Sequence, residues 1–172
     1  LLVVGDLMLD EYLWGDVDRI SPEAPVQVVS INTEDFALGG AGNVVNNIVA
    51  LGAKVSVVGV IGTGRNGRLL LDKFSDLGVD TTGIIEEPDR TTTQKTRIIA
   101  ANQQVLRIDR ETDQTISDST VNKITKFIED NIDPVDVVLI SDYGKGLITK
   151  DLLSRVILCA QTHKKKVFVD PK

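Results

Sequence analysis

The chain has 172 residues with a formal net charge of -6, 42% of them hydrophobic and 26% charged, an ordinary balance for a globular chain with one sizeable core. The acidic balance argues against a nucleic-acid-binding surface, which would be basic. The single cysteine, Cys159, excludes an internal disulfide framework and suits a reducing compartment. No run approaches the ~18 apolar residues of a membrane span and no basic-then-apolar leader opens the sequence, so a cytoplasmic chain is expected, with no membrane partner.

Residues 1–6 read as a buried strand ending at Gly5-Asp6, with Asp10 close behind in Leu7-Met8-Leu9-Asp10. Tyr12 to Val17 alternates and reads as a short edge or lid strand. The two prolines of Ser21-Pro22-Glu23-Ala24-Pro25 forbid regular structure. A strand over Val26–Ile31 precedes Leu38-Gly39-Gly40-Ala41-Gly42-Asn43, a glycine loop that opens an apolar helix ending at Gly52. Lys54 to Val60 reads as a strand. Arg65 to Leu77 has helical spacing and stops at Gly78. A short strand at Ile84-Ile85 follows, and then a hairpin is expected from Thr91–Ala101 and Val105–Asp109 around Asn102-Gln103-Gln104. A helix over 119–131 buries Val121, Ile124 and Ile128. The pattern closes with a strand over Val135–Ile140, a helix containing Leu152–Ala160 and a strand at Val167–Val169.

Alternating strands and helices predict an α/β fold with a parallel sheet flanked by helices. The strands at 12–17, 26–31, 91–101 and 105–109 lack helices between them and are expected to form a separate small sheet. Parallel strands are covered on both faces, so a last strand with no helix after it leads us to expect the N-terminal part of a longer chain.

Several groups point to ligand chemistry. A glycine loop at a helix N-terminus offers unpaired N–H groups to an oxygen-rich ligand, and Asn43 and Asn47 share one helix face; a tight turn capped by Asn43 is the plainer reading. A carboxylate accepts both hydrogen bonds of a vicinal diol, which suits Asp10, while Asp6 reads equally as a ligand or a turn acid. Lys95 and Arg97 alternate on one face of their strand with Arg107 on the next, suiting a phosphate or a solvated face. Asn102 and Gln104 are polar ligands or turn residues. Asp142 lies in Ser141-Asp142-Tyr143-Gly144-Lys145-Gly146, where two glycines would let the backbone approach an anion; an ordinary strand-to-helix turn is the alternative. Gly62-Thr63-Gly64-Arg65-Asn66-Gly67 fits a dinucleotide fingerprint but follows the second long strand instead of the first. The one histidine, His163, leaves no Ser–His–Asp or Cys–His arrangement.

Taken together, Val4-Gly5-Asp6-Leu7-Met8-Leu9-Asp10, Arg19 through Val26, Gly39-Gly40-Ala41-Gly42-Asn43-Val44, Thr96 through Asp109, Ser141 through Gly146 and Asp170-Pro171-Lys172 resemble the ribokinase (PfkB) family of sugar kinases. Within it they are most similar to the heptose 7-phosphate kinases. The resemblance implies a single ribokinase-like domain, with lid strands near 12–38 and 91–110. It implies ATP and Mg²⁺ as cofactors, a heptose phosphate as substrate, and a homodimer through the lid strands. Asp10, Gly39, Gly40 and Asn43 would contact sugar hydroxyls, the hairpin cations would lie near the substrate phosphate, and Lys172 would lie near the nucleotide. The family's catalytic base, in a Gly-x-Gly-Asp turn, and its Asn-x-x-Glu element would both fall beyond residue 172. Another sugar or nucleoside kinase of the family and a non-catalytic sugar-phosphate-binding module remain alternatives.

Overall fold

A computed structural model describes all 172 residues. Numbered along the chain, five strands form a parallel sheet: β1 (Leu2–Gly5), β4 (Ser56–Gly62), β5 (Asp80–Glu87), β8 (Val137–Ser141) and β9 (Lys166–Asp170), in the spatial order β5-β4-β1-β8-β9. Alternation along β1 sends its side chains into two cores. Leu2 and Val4 join the core with α3 (Asp118–Asn131) and α4 (Lys150–Thr162), and Val3 joins the core with α1 (Ala41–Ala50) and α2 (Arg65–Asp76). Each core is fed at helical spacing, by Leu70 and Phe74 from α2 and by Val121, Ile124 and Ile128 from α3. Full burial of such a side chain contributes about 1.5–3 kcal/mol. Side chains of Ser117 and Thr149 cap α3 and α4. No helix is long and apolar enough to cross a membrane.

The other four strands, β2 (Leu7–Ile20), β3 (Gln27–Gly40), β6 (Thr93–Ala100) and β7 (Gln103–Arg110), form a second sheet in the order β3-β2-β6-β7. Residues 12–17 are therefore not a short edge strand. They lie in the middle of a 14-residue strand flanked by β3 and the parallel β6. The break expected before Tyr12 is absent because Asp6 alone separates β1 from β2. The hairpin is present, but its turn is Ala101-Asn102, both at positive φ (49° and 60°), the two-residue geometry that follows the twist of the strands. Gln103 and Gln104 belong to β7 instead of the turn. The glycine loop is also shorter than expected: Gly39 and Gly40 close β3, opposite Met8 and Leu7, and the helix begins at Ala41.

In the parallel sheet the chain order reverses between β1 and β8, the place where open α/β sheets form a crevice. Asp6 follows β1 there, and the turn 142–147 follows β8. Asp6 is buried, and its Oδ2 accepts hydrogen bonds from the backbone N–H of Tyr143 (2.9 Å) and Lys145 (3.2 Å). Its Oδ1 accepts from Leu147 N–H (3.3 Å). Its backbone carbonyl accepts from Ala41 N–H (3.0 Å) and its own N–H donates to Ser141 O (3.2 Å). One residue thus ties the start of the second sheet, the start of α1 and the turn after β8. The turn does receive an anion, as its glycines suggested, but that anion is the chain's own Asp6 carboxylate.

Hydrogen bonds to a charged group contribute about 1.5–3 kcal/mol each, and a buried donor left unpaired costs about 1–3 kcal/mol. Asp6→Ala is accordingly expected to destabilise the protein by roughly 3 kcal/mol or more. Hydrogen exchange should show faster exchange at Tyr143, Lys145 and Leu147. Unchanged protection at these three amides would contradict the assignment.

Candidate substrate site

One face of the second sheet gathers Asp10, Lys95, Arg97 and Arg107 from among the residues expected to bind. Cross-strand partners share a face, and Asp10 pairs with Lys95, Tyr12 with Arg97, Lys95 with Asp109 and Arg97 with Arg107. Asp10 Oδ1 accepts from Arg97 Nη1 at 2.6 Å, and the guanidinium lies 5.3 Å from the centroid of the Tyr12 ring, which stacks on Trp14. The hydrogen bond to Asp10 raises the Arg97 pKa against the opposing effect of burial. Asp10 Oδ2 accepts no hydrogen bond within the chain. It lies against Gly39, where an added Cβ would come within 2.5 Å of it. A glycine here gives a carboxylate oxygen room to meet another group.

The three hairpin cations do not form a free cluster. Lys95 contacts Asp109 (3.2 Å) and Glu111 (3.4 Å), Arg97 contacts Asp10, and Arg107, half exposed, contacts Asp109 (2.9 Å). Periodicity along one strand shows which residues share a face but not which carboxylates the facing strand brings. A fourth cation, Lys145, reaches in from the turn after β8 and contacts Glu111 at 2.8 Å. Four cations (Lys95, Arg97, Arg107, Lys145) thus meet three carboxylates (Asp10, Asp109, Glu111), leaving one positive charge in a chain that is acidic overall. Burial opposes ionisation of Asp109, but Lys95 and Arg107 outweigh it and hold its pKa down. The hydrogen bond from Lys145 lowers that of Glu111, with Lys95 adding to it.

At the start of α1, Gly40 is the cap residue at φ 55° and provides no side chain. Asn43 lies one turn inside the helix and does not cap it. Asn43 and Asn47 are both exposed, on the shared face their spacing implies. Asn102 and Gln104 are exposed at the far end of the sheet. Gln104 faces Ile99, four residues along β6 from the partner of Asp10, or about 13 Å at the usual strand rise. The chain does not bring them to Asp10. Asp142 Oδ1 accepts from Gly144 N–H at 2.8 Å, and the side chain of Lys172 lies over Gly144. The Gly62–Gly67 motif serves packing, since a Cβ on Gly67 would overlap the carbonyl oxygen of Gly62.

Sequence reasoning missed four charged residues. Lys145 and Glu111 join the two sheets. Arg90 anchors the same junction, donating to Lys145 O (2.6 Å) and Gln114 O (3.0 Å). Glu11, buried on the opposite face of the second sheet, accepts from Gln94 Nε2 (2.8 Å) and Thr96 Oγ1. Asp109 lies opposite Lys95 because of the register shift between Ile98 and Ile99 as well as the position of the turn; no sequence signal marks Arg90.

The ion pairs set an acid limit. Because the folded-state pKa of Glu111 is depressed, its contribution is whole above the ordinary glutamate value and is lost as pH falls through the depressed one. The stability difference between wild type and Glu111→Gln is therefore expected to stay constant from pH 7 to about pH 5 and to close only in stronger acid, near or below the ordinary glutamate value of about 4.3. Denaturant titrations across that range would show it, and a difference that vanishes by pH 6 would contradict it.

Residues 1–172 match the family model described as pfkB family carbohydrate kinase. The chain is 55% identical over 172 residues to bifunctional protein HldE of Desulfatibacillum aliphaticivorans and 53% identical over 171 residues to that of Geobacter sulfurreducens. These matches cover 100% and 99% of this chain but 35% of each relative, so the chain spans about a third of their length. Among solved structures, Arabidopsis thaliana ribokinase complexed with ribose and ATP is similar with a TM-score of 0.68 at 17% identity, over 98% of this chain and 52% of that one. The tetrameric inhibited form of Escherichia coli phosphofructokinase-2 gives 0.71 at 18%, over 99% and 54%. Both show the ribokinase-like fold. With the whole of its length matched to the family model, the chain belongs to the pfkB family of carbohydrate kinases.

Proposed function

We propose that the protein containing this chain transfers the γ-phosphate of ATP to the anomeric hydroxyl of heptose 7-phosphate, forming heptose 1,7-bisphosphate for ADP-heptose and lipopolysaccharide core synthesis. The observation that carries this reading is the Asp10 carboxylate, with one oxygen held by Arg97 and the other open beside Gly39. A carboxylate fixed on one side by Arg97 suits a sugar hydroxyl, and the specific sugar follows the sequence resemblance and the identity to bifunctional HldE proteins.

In this reading the chain supplies sugar recognition. Asp10 accepts from a hydroxyl, Gly39 and Gly40 admit the sugar to the backbone, and Asn43 offers an amide from α1. Lys95, Arg97 and Arg107 set the positive field for the substrate phosphate, with Asn102 and Gln104 at the outer end of the sheet. Closing the second sheet as a lid would exclude water from the reacting phosphate. Asp142 would meet the substrate, and Lys172, whose side chain lies over Gly144, would lie at the edge of the nucleotide site. No three His, Cys, Asp or Glu side chains gather to hold a metal. ATP supplies the phosphoryl group and Mg²⁺ the charge neutralisation when bound; in this reading the rest of their site, and the catalytic base, belong to sequence beyond residue 172. The reverse face of the lid carries Leu13, Ile98, Leu106 and Ile108, of which Leu106 and Ile108 are exposed, and this face would pair two copies in a cytoplasmic homodimer.

The test is ADP release by the intact protein with heptose 7-phosphate. Loss of one charge-assisted hydrogen bond predicts that Asp10→Ala lowers kcat/KM by roughly 10- to 150-fold. Asn43→Ala should lower it by a smaller factor, and residues 1–172 alone should show no turnover. ADP release that ignores the sugar, or unchanged kinetics in both variants, would overturn the reading.

A further inference from the structure

Sugar recognition gives Glu111 no role, yet its position is specific. It lies where the chain leaves β7 for α3, one of the connections between the two sheets. Its Oε2 atom receives two ammonium groups from different sheets, Lys145 at 2.8 Å from the turn after β8 and Lys95 at 3.4 Å from β6. Each lysine side chain is only 17% exposed. The backbone N–H groups of the turn at Tyr143, Lys145 and Leu147 already serve Asp6, so the lysine heads are the part of this junction left to hold an anion. The carbonyl of Lys145 is fixed by Arg90, which lets its ammonium change partners without moving the turn.

Glu111 is the one carboxylate that both ammonium groups share, with Asp109 also on Lys95 at 3.2 Å, so a single negative charge bridges two positive ones. A phosphate monoester brings about -1.5 to -2 and three acceptor oxygens, a better match to both. We propose that Lys95 and Lys145 form a phosphate site at the junction of the two sheets, and that Glu111 is an internal anion that occupies it until a ligand phosphate displaces it. This rests on the reading of the protein as a kinase of a phosphorylated sugar, where the phosphate belongs either to the sugar or to the nucleotide. Displacement would also release the tie from Glu111 to the turn, linking phosphate arrival to movement of the second sheet.

Calorimetric titration of the intact protein with inorganic phosphate, heptose 7-phosphate, unphosphorylated heptose and ATP tests this. Glu111→Gln removes the competing anion and is expected to tighten the Kd of inorganic phosphate and of one phosphorylated ligand by threefold or more. Lys145→Met should weaken the same ligands by tenfold or more and leave unphosphorylated heptose within twofold, with Lys145→Arg restoring most of the loss. Alongside inorganic phosphate, a gain for heptose 7-phosphate but not ATP assigns the site to the sugar phosphate, and the reverse assigns it to the nucleotide; either upholds it. If Glu111→Gln leaves all three phosphate-bearing probes unchanged or weaker, the site is wrong, whatever the folding of the lysine variants. Heptose phosphorylation alongside that result would leave the kinase reading standing. Tighter phosphate binding without any heptose phosphorylation would do the reverse.

Discussion

The carboxylate of Asp6 holds the molecule's two sheets to one geometry. It is buried and accepts three backbone N–H groups from a turn that is 137 to 141 residues away in sequence. Its own backbone meets Ala41 at the head of α1 and Ser141 at the end of β8. The second sheet leaves the first immediately after this residue, so the direction of β2, and with it the placement of Asp10, depends on how Asp6 is held. The requirement is mutual, because three inward-facing amides would be costly without the carboxylate.

On that frame the site is built as balanced charge instead of a basic patch. Arg97 fixes Asp10, Asp109 bridges Lys95 and Arg107, and Glu111 bridges Lys95 and Lys145. Pairing keeps half-buried cations from repelling one another when no ligand is present and holds their side chains in place. The single surplus positive charge would give the proposed anionic substrate a local attraction that the net charge of the chain opposes. On the proposed reading, substrate would bind by exchange of ionic partners, which needs less reorganisation than ordering loose side chains.

Much of the architecture was legible in the sequence because it rests on local periodicity. The stripe Val121, Ile124, Ile128 and the stop at Gly78 appear where helical spacing and a positive-φ glycine put them. The second sheet was legible from strands without intervening helices, but its boundaries were not. β2 and β3 each run 14 residues across bulges that interrupt alternation, at Trp14/Gly15 and Val17/Arg19. The candidate site was legible as residue types, with Lys95 and Arg97 on one strand face. It was not legible as pairs. Displacing the turn from Ala101-Asn102 toward Gln103 shifts every cross-strand neighbour, and contacts such as Asp6 with Tyr143 or Lys145 with Glu111 depend on tertiary placement that no local pattern encodes.

The identity of the reaction product tests the central claim most directly. Phosphorus NMR of the intact protein incubated with ATP, Mg²⁺ and heptose 7-phosphate should show a new anomeric phosphate resonance growing as ADP forms, with the 7-phosphate signal retained. ADP and inorganic phosphate without an anomeric phosphate, or transfer to a different hydroxyl, would contradict it.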